Sequence, residues 1–418
     1  MNNTLDNYLE YLDEEAVFDK DFLSDLKYEI DSKLYQYGNH FKANNENEIF
    51  ILKQRLAYLL RCLKGVKNVF FINKKFENVA ISSAYFKVHT KLNNIGYNCI
   101  NVPWLDPNNN LRLYLKLQNF NYRIKKCKFS EIHFLYKEYL TICKDLEKFY
   151  SNPEIKILIL PQDVGVFERI SIRIFKELNK KTFLFSHGLP GRYNNIDDNR
   201  TDVLAVWGKT IKENYIKAGI RADKIFVTGH PLYNFDPSKI KLKSSLDNIL
   251  VLSKSINGTP HSTGVRISDR TNLLLYLFQI KNELLKLGVK SVKFRPHPSE
   301  NIKWYYNYID VNFFKIDTHK SITESFKEAS LVIGPTSSVF IDAILNNINY
   351  LVYEPSSGGN DMNNFPLVPP FDSSDERVVV AKNPYELGKN LQHIPLVETS
   401  ILLDYIEPEF DISFLKQY

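Results

Sequence analysis

The residues in this chain best suited to chemistry lie in short polar clusters, each directly behind a run of apolar residues. Gly334-Pro335-Thr336-Ser337-Ser338 follows one such run and leads into the segment VFIDAIL. A turn that opens a helix exposes free N–H groups and the positive end of the helix dipole, a setting for anions. Hydroxyls beside it add hydrogen bonds to phosphate oxygens. Ser and Thr are also ordinary N-caps, but a row of hydroxyls after Gly-Pro exceeds what capping needs. Arg295-Pro296-His297-Pro298 follows the run VKF. Its prolines fix φ and stiffen the turn, presenting a guanidinium suited to phosphate and an imidazole that can donate or act as an acid. A loop in which Arg295 pairs with Glu300 is the plain alternative. Glu354, closing the run YLVY, has the place of a ribose-holding acid or of an exposed loop residue. Ser253-Lys254-Ser255, after ILVL, offers a further donor cluster.

In the first half, Ser186-His187-Gly188 follows the run TFLF, and the glycine leaves backbone room beside the imidazole. Asp163, in Pro161-Gln162-Asp163-Val164-Gly165, can serve as general base or nucleophile, or as the N-cap of a helix over 166–179. Asp197, Asp198 and Arg200 read as solvated loop residues, and His230 in TGHP as structural. Between 112 and 128, Arg112, Lys116, Arg123, Lys125, Lys126 and Lys128 are mixed with Tyr114, Phe120 and Tyr122. Such a segment can grip an anionic glycan or a lipid headgroup, with Arg123, Lys125 and Lys126 as acceptor-binding residues. A solvated helix face explains it equally well. No GxGxxG, P-loop or HExxH is present, and no acid cluster indicates a metal.

These clusters need a scaffold. Strand-length apolar runs occur at 69–72, 99–102, 155–160, 182–185, 203–206 and 225–228, with helical patterns between most of them. After a basic, turn-rich linker over 230–245, a second series follows at 249–253, 292–294, 313–316, 331–333 and 350–353. Strands alternating with helices imply parallel sheets covered on both faces, and ligands then bind beyond the strands' carboxyl ends. The expected organisation is a Rossmann-like, acceptor-binding domain over 1–235 with a helical lead-in over 1–65. A nucleotide-binding Rossmann-like domain over 236–395 follows, then a tail over 396–418 that packs back on the first.

At 418 residues, with 44% hydrophobic and 24% charged residues, the composition is that of a globular protein of two or three domains. Net charge is +6, yet residues 1–31 hold ten acids against two bases, so the body is basic. A mildly basic body suits an anionic partner such as a nucleotide or acidic glycan, but is too diluted by acids for nucleic acid. Four cysteines without a CxxC pair read as buried thiols of a reducing compartment. With no apolar leader and no spanning run, a cytoplasmic location is expected, with peripheral contact at the inner membrane face.

Together, HG…VWG…GHP…RPHP…GPTSSVFIDAI…YEP resembles bacterial capsule and surface-carbohydrate transferases of the GT-B fold over about residues 155–360. Bacterial sialyltransferases, polysialyltransferases and Kdo transferases use an HP motif and a Ser-rich motif for the CMP part of a CMP-sugar. Those would be His297-Pro298 and Ser337-Ser338 here. Their acidic pair before Gly is matched only by Gln162-Asp163-Val164-Gly165. CDP-glycerol and CDP-ribitol polymerases share an N-domain His, an Arg-x-His turn and a Ser-Ser-Val-x-x-Asp helix start. The resemblance implies an α/β GT-B fold with two Rossmann-like domains facing a cleft, and a glycosyltransferase needing no cofactor beyond its nucleotide-sugar co-substrate. A CMP-linked ulosonate is the leading donor, with CDP-polyol and UDP-sugar as alternatives, and the acceptor is a surface glycan or glycolipid. A nucleotide-sugar 2-epimerase-like enzyme and a non-catalytic binding protein are the other classes. The implied roles are catalysis by Asp163, His187 and His297, with Arg295, His297, Thr336, Ser337, Ser338, Glu354, Ser253 and Lys254 around the nucleotide.

Overall fold

The computed structural model describes residues 20–34, 60, 63, 77–83, 86–127, 129–194, 200–254, 269–298, 300, 302–355 and 366–418. The expected strand at 69–72 lies outside these residues, as do Cys62, Lys128, Asp197, Asp198 and Ser255. The first half carries β1 (Val79–Ser82), β2 (Asn98–Asn101), β3 (Ile155–Leu160), β4 (Lys181–Phe185), β5 (Val203–Val206) and β6 (Ile225–Val227). The second carries β7 (Ile249–Leu252), β8 (Val292–Arg295), β9 (Phe314–Ile316), β10 (Leu331–Gly334), β11 (Tyr350–Tyr353) and β12 (Val380–Ala381). They form two six-stranded sheets, ordered β2-β1-β3-β4-β5-β6 and β12-β11-β10-β7-β8-β9, with every pairing parallel. Strands buried on both faces must be apolar throughout, and β5, β7, β10 and β11 are buried along their whole length. The chain has the GT-B architecture of two Rossmann-like halves. Strands β1 and β12 are additions to the sequence expectation.

The helices of the first half are α1 (Lys20–Leu34), α2 (Phe86–Asn94), α3 (Leu111–Lys126), α4 (Tyr136–Tyr150), α5 (Val166–Glu177) and α6 (Lys209–Lys217). Those of the second are α7 (Asp269–Lys286), α8 (Ile302–Tyr305), α9 (Ile322–Glu328), α10 (Val339–Leu345), α11 (Pro384–His393) and α12 (Ile401–Tyr405). Helix α5 shares a core with α1, α3 and α4, against Val79, Ile81, Leu158 and Leu160 of one sheet face. Helix α2 packs Val88 and Leu92 against Ala80, Ile157 and Ile159, the opposite face. The second sheet repeats the arrangement: α7 packs with Ile249, Val251 and Ile333, α10 with Leu250 and Val332.

This placement creates the clefts. Neighbouring strands β1 and β3 send their connections to opposite faces, and so do neighbouring β7 and β10. A crevice opens between two such strands at their carboxyl ends, where ligands of open parallel sheets bind. Helix α10 has only seven residues, too few to hold itself. It is kept in place by burial of Phe340, Ile341 and Ile344, each contributing about 1.5–3 kcal/mol.

After α12 the chain crosses back to the first sheet. Glu407 N donates to Trp207 O at 2.8 Å and Asp411 N to Thr228 O at 2.9 Å. Phe414 stacks on Phe226 with centroids 4.5 Å apart, and Phe410, Ile412 and Leu415 complete the core around α2. Among the described residues, no helix is long and apolar enough to cross a membrane.

Candidate functional site

The crevice of the second half is bounded by Ser253-Lys254 after β7 and by the turn Pro335–Ser338 after β10. Glu354, at the end of β11, is fully buried beneath it. Its Oε2 accepts from Thr336 N at 2.7 Å and from Thr336 Oγ1 at 3.0 Å, and its Oε1 meets Lys254 Nζ at 3.2 Å. Lys254 Nζ also donates to Thr336 Oγ1 at 3.2 Å. Glu354 therefore clamps the turn from below instead of facing a ribose, and Thr336 spends its amide and hydroxyl on that clamp. Tyr350 Oη donates to Pro335 O at 2.7 Å. A Cβ on Gly334 would run into the same hydroxyl, which is why a glycine precedes the proline. What the turn still offers is the pair of amides at Ser337 and Ser338, which donate to no described group. The Ser337 hydroxyl accepts from Val339 N at 3.3 Å.

The Arg295 turn is likewise anchored inward. Arg295 Nη1 meets Asp317 Oδ2 at 2.8 Å, His319 O at 3.0 Å and Ser325 Oγ at 3.0 Å. Asp317 also takes His319 Nδ1 at 2.5 Å and the Ser325 hydroxyl. Burial alone would raise the Asp317 pKa, but the bonds from Ser325, Arg295 and His319 outweigh it and hold it at about 2. The partner of Arg295 is thus Asp317, not Glu300, and the guanidinium braces the β8–β9 edge rather than the cleft. Glu300 Oε2 instead collects Ser253 Oγ at 2.8 Å, Tyr305 Oη at 2.6 Å and His297 N at 3.1 Å. Ser253 is buried and accepts from His297 N at 2.9 Å. It shapes the turn rather than facing a ligand. The His297 side chain stays exposed, with its pKa lowered by desolvation.

The two halves touch at the residues singled out from sequence. Leu189 N donates to Ser338 Oγ at 2.8 Å. A Cβ on Gly188 would lie 2.8 Å from that oxygen, so the close approach needs a glycine. One residue earlier, exposed His187 engages Pro161 O through Nδ1 at 2.9 Å. A carbonyl only accepts, so Nδ1 is the donor in this bond. The contact is braced by Tyr233 Oη, which donates to Asp342 Oδ1 of α10 at 2.6 Å. His230 is buried edge-on to Trp207 at 4.4 Å, a packing role.

Asp163 leaves β3 on the same side and is buried. Burial raises its pKa, against the pull of Arg200, whose Nη1 lies 3.4 Å from Oδ1. Arg200, expected to be solvated, is this carboxylate's counter-ion. Arg123, Lys125 and Lys126 lie exposed in the last turn of α3, and Arg123 pairs with Glu138 of α4. The structure therefore gathers His187, Ser337, Ser338, Thr336, Lys254 and Glu354 at one place, and gives Arg123 an ordinary surface partner. Sequence reasoning passed over Asp317, His319 and the role of Glu300. Asp317 carried a signal, because it also stands directly behind a strand. Among the described residues, no group of three His, Cys, Asp or Glu side chains is placed to hold a metal.

No family profile and no curated protein sequence matches the chain. Among solved structures, it is similar to a UDP-GlcNAc 2-epimerase from Neisseria meningitidis bound to UDP-GlcNAc (10% identity, 81% of this chain and 96% of that one, TM-score 0.46). It is similar to a glycosyltransferase from Rickettsia africae (11%, 82% and 97%, TM-score 0.45). The wall teichoic acid polymerase TagF is a third (12%, 87% and 96%, TM-score 0.40). Likeness at this level says nothing of activity.

Proposed function

We propose that the chain is a glycosyltransferase that moves a sugar from a nucleotide donor, held at the second-half crevice, to a glycan or glycolipid acceptor on the first half. The observation that carries this reading is the contact of the His187-Gly188-Leu189 loop with the Ser338 turn. It puts an imidazole within one residue of a turn whose amides are open to phosphate. In this role Ser337 and Ser338 amides, the Ser338 hydroxyl and Lys254 bind phosphate. His297 stabilises the departing nucleotide, and Asp163 or His187 takes the acceptor proton. A CMP-linked ulosonate is the favoured donor. With Arg295 braced inward and Lys254 shared with Glu354, little positive charge is left for a leaving group, which suits one phosphate better than two.

Thermal shift with CMP, CDP, UDP and UMP tests it. A nucleotide at a hundredfold excess over its Kd should stabilise the fold by about 2.7 kcal/mol. Stabilisation by UDP or CDP with none by CMP would replace the donor class, and a flat response to all of them would remove the transferase reading.

A further inference from the structure

The crevice of the first half, between β1 and β3, holds, beside Asp163, side chains that the scheme above leaves unused. Ser83 leaves β1 and donates its amide to Ile159 O of β3 at 3.1 Å. His89 stands in the first turn of α2, with burial lowering its pKa and the Ser82 carbonyl engaged by its ring. Asp163 leaves β3, and Arg169 stands in the first turn of α5. From outside, α1 closes over the start of α5: Glu29 Oε1 accepts from Val166 N at 3.0 Å and Arg169 bonds to Ser24 O. On the elements that border this crevice, five buried atoms, Ser83 Oγ, His89 Nε2, Asp163 Oδ2, Arg169 Nε and Glu29 Oε2, have no partner. Asp163 and Arg169 are 4% and 8% exposed. A buried polar group left unpaired costs about 1–3 kcal/mol, so a fold that tolerates several at one crevice retains them for something that binds there.

The kinds of atom say what binds. Arg169 Nε is a donor, Asp163 Oδ2 and the bare His89 Nε2 are acceptors, and Ser83 Oγ is both. A phosphate or carboxylate only accepts and would face Asp163. A cation only donates and would face Arg169 and Arg200. A hydroxyl does both. We propose that this crevice is a binding site for a neutral polyhydroxylated ligand, a sugar ring or polyol, whose adjacent hydroxyls accept from Arg169 and donate to Asp163 and His89. Identifying that ligand as the acceptor rests on the transferase reading; the site itself does not.

Ligand-observed saturation-transfer NMR on the full chain, with methyl α-glucoside, methyl α-galactoside, N-acetylglucosamine and glycerol as neutral probes and inorganic phosphate as the anionic competitor, tests it. At least one neutral probe should receive saturation, and phosphate should not compete. Ser83→Ala and His89→Phe should each weaken that probe by about tenfold, the worth of one or two hydrogen bonds. Ser83→Ala should melt no lower than the parent, since it removes an unpaired polar group, whereas His89→Phe also gives up the ring's bond to the Ser82 carbonyl. A residue serving the fold would behave the other way. No saturation from any neutral probe, with or without CMP present, overturns the proposal, as does competition by phosphate. Lowered melting of Ser83→Ala with undiminished saturation does so too, because it would assign Ser83 to the fold. Nucleotide shifts on the same samples separate the two readings: sugar binding without a nucleotide shift sinks the donor site alone, and the reverse sinks this site alone.

Discussion

The two crevices occupy equivalent places in their sheets, yet their polar groups are arranged in opposite ways. Between β7 and β10 each buried polar side chain answers another: Glu354 with Thr336 and Lys254, and Ser253 with Glu300. Between β1 and β3, Ser83, His89, Asp163, Arg169 and Glu29 each keep an unpaired atom. A saturated network fixes a backbone shape, and it is then the backbone amides that are left to meet a ligand. An unsaturated one leaves the side chains themselves for that task. The same architecture thus supports one rigid turn and one set of waiting groups, and the two should respond to mutation in contrary fashion.

The widest separation is expected in turnover. Asp163→Asn should lose about 10²–10⁴-fold in rate, the usual worth of general-base help. His187→Ala, at the exposed inter-half contact, should lose rate on the same scale, and normal turnover by both variants would remove the base assignment. Across the molecule, Glu354→Gln should act on folding instead. It takes the carboxylate away from Lys254 and turns an amide toward Thr336, and breaking a buried pair from one side costs about 3–5 kcal/mol. Urea unfolding of Glu354→Gln that matches the parent would erase the contrast.

A smaller effect is one of sign with pH. Asp317, held at about 2 against an ordinary 3.8, contributes stability that is present above its unfolded value and lost as pH falls toward 2. Glu29 is raised from 4.5 to about 7, by burial first, against the bond from Val166. Around it stand Glu168, also raised by burial, and Asp163, Arg169 and Arg200. The folded chain binds the Glu29 proton more tightly, so this group's contribution is greatest in acid and fades as pH rises through that window. Denaturation on both sides of the window should show Glu29→Gln losing that slope and Asp317→Asn losing the acid limb. Least of all, Arg123→Ala should cost about 0.2–1 kcal/mol, as exposed pairs do. A glycan-binding defect in this variant at unchanged stability would restore α3 as an acceptor surface.

Strands were legible because a buried parallel strand must be a continuous apolar run, as Ile155–Leu160 and Tyr350–Tyr353 are. β1 was not, because VAIS carries only three apolar residues, set between Asn78 and the polar Ser82-Ser83. Missing it hid Ser83 and His89, although Ser82-Ser83 behind an apolar run is the same sign that marked Ser337-Ser338. Strand-end position told where Arg295 and Glu354 stand but not which way they face. That depends on Asp317, at the end of the neighbouring strand, and on Thr336, across the crevice, contacts made only once the sheet has assembled. His187 and Ser338 were each legible. Their meeting was not, since it depends on how the two halves sit together.

The strand of chain that returns after α12 has a bearing on biosynthesis. The first sheet is complete once Val227 has been made, but Phe410, Ile412 and Leu415, which close one of its two faces, emerge roughly two hundred residues later. At about 5–20 residues per second of translation, that face of Phe183, Phe185, Val203 and Phe226 waits roughly 10–40 s for its cover. During that interval the nascent first half presents an apolar groove to its surroundings and offers a natural hold for a chaperone. Synthesis of residues 410–415, rather than completion of the first half, is what closes that face.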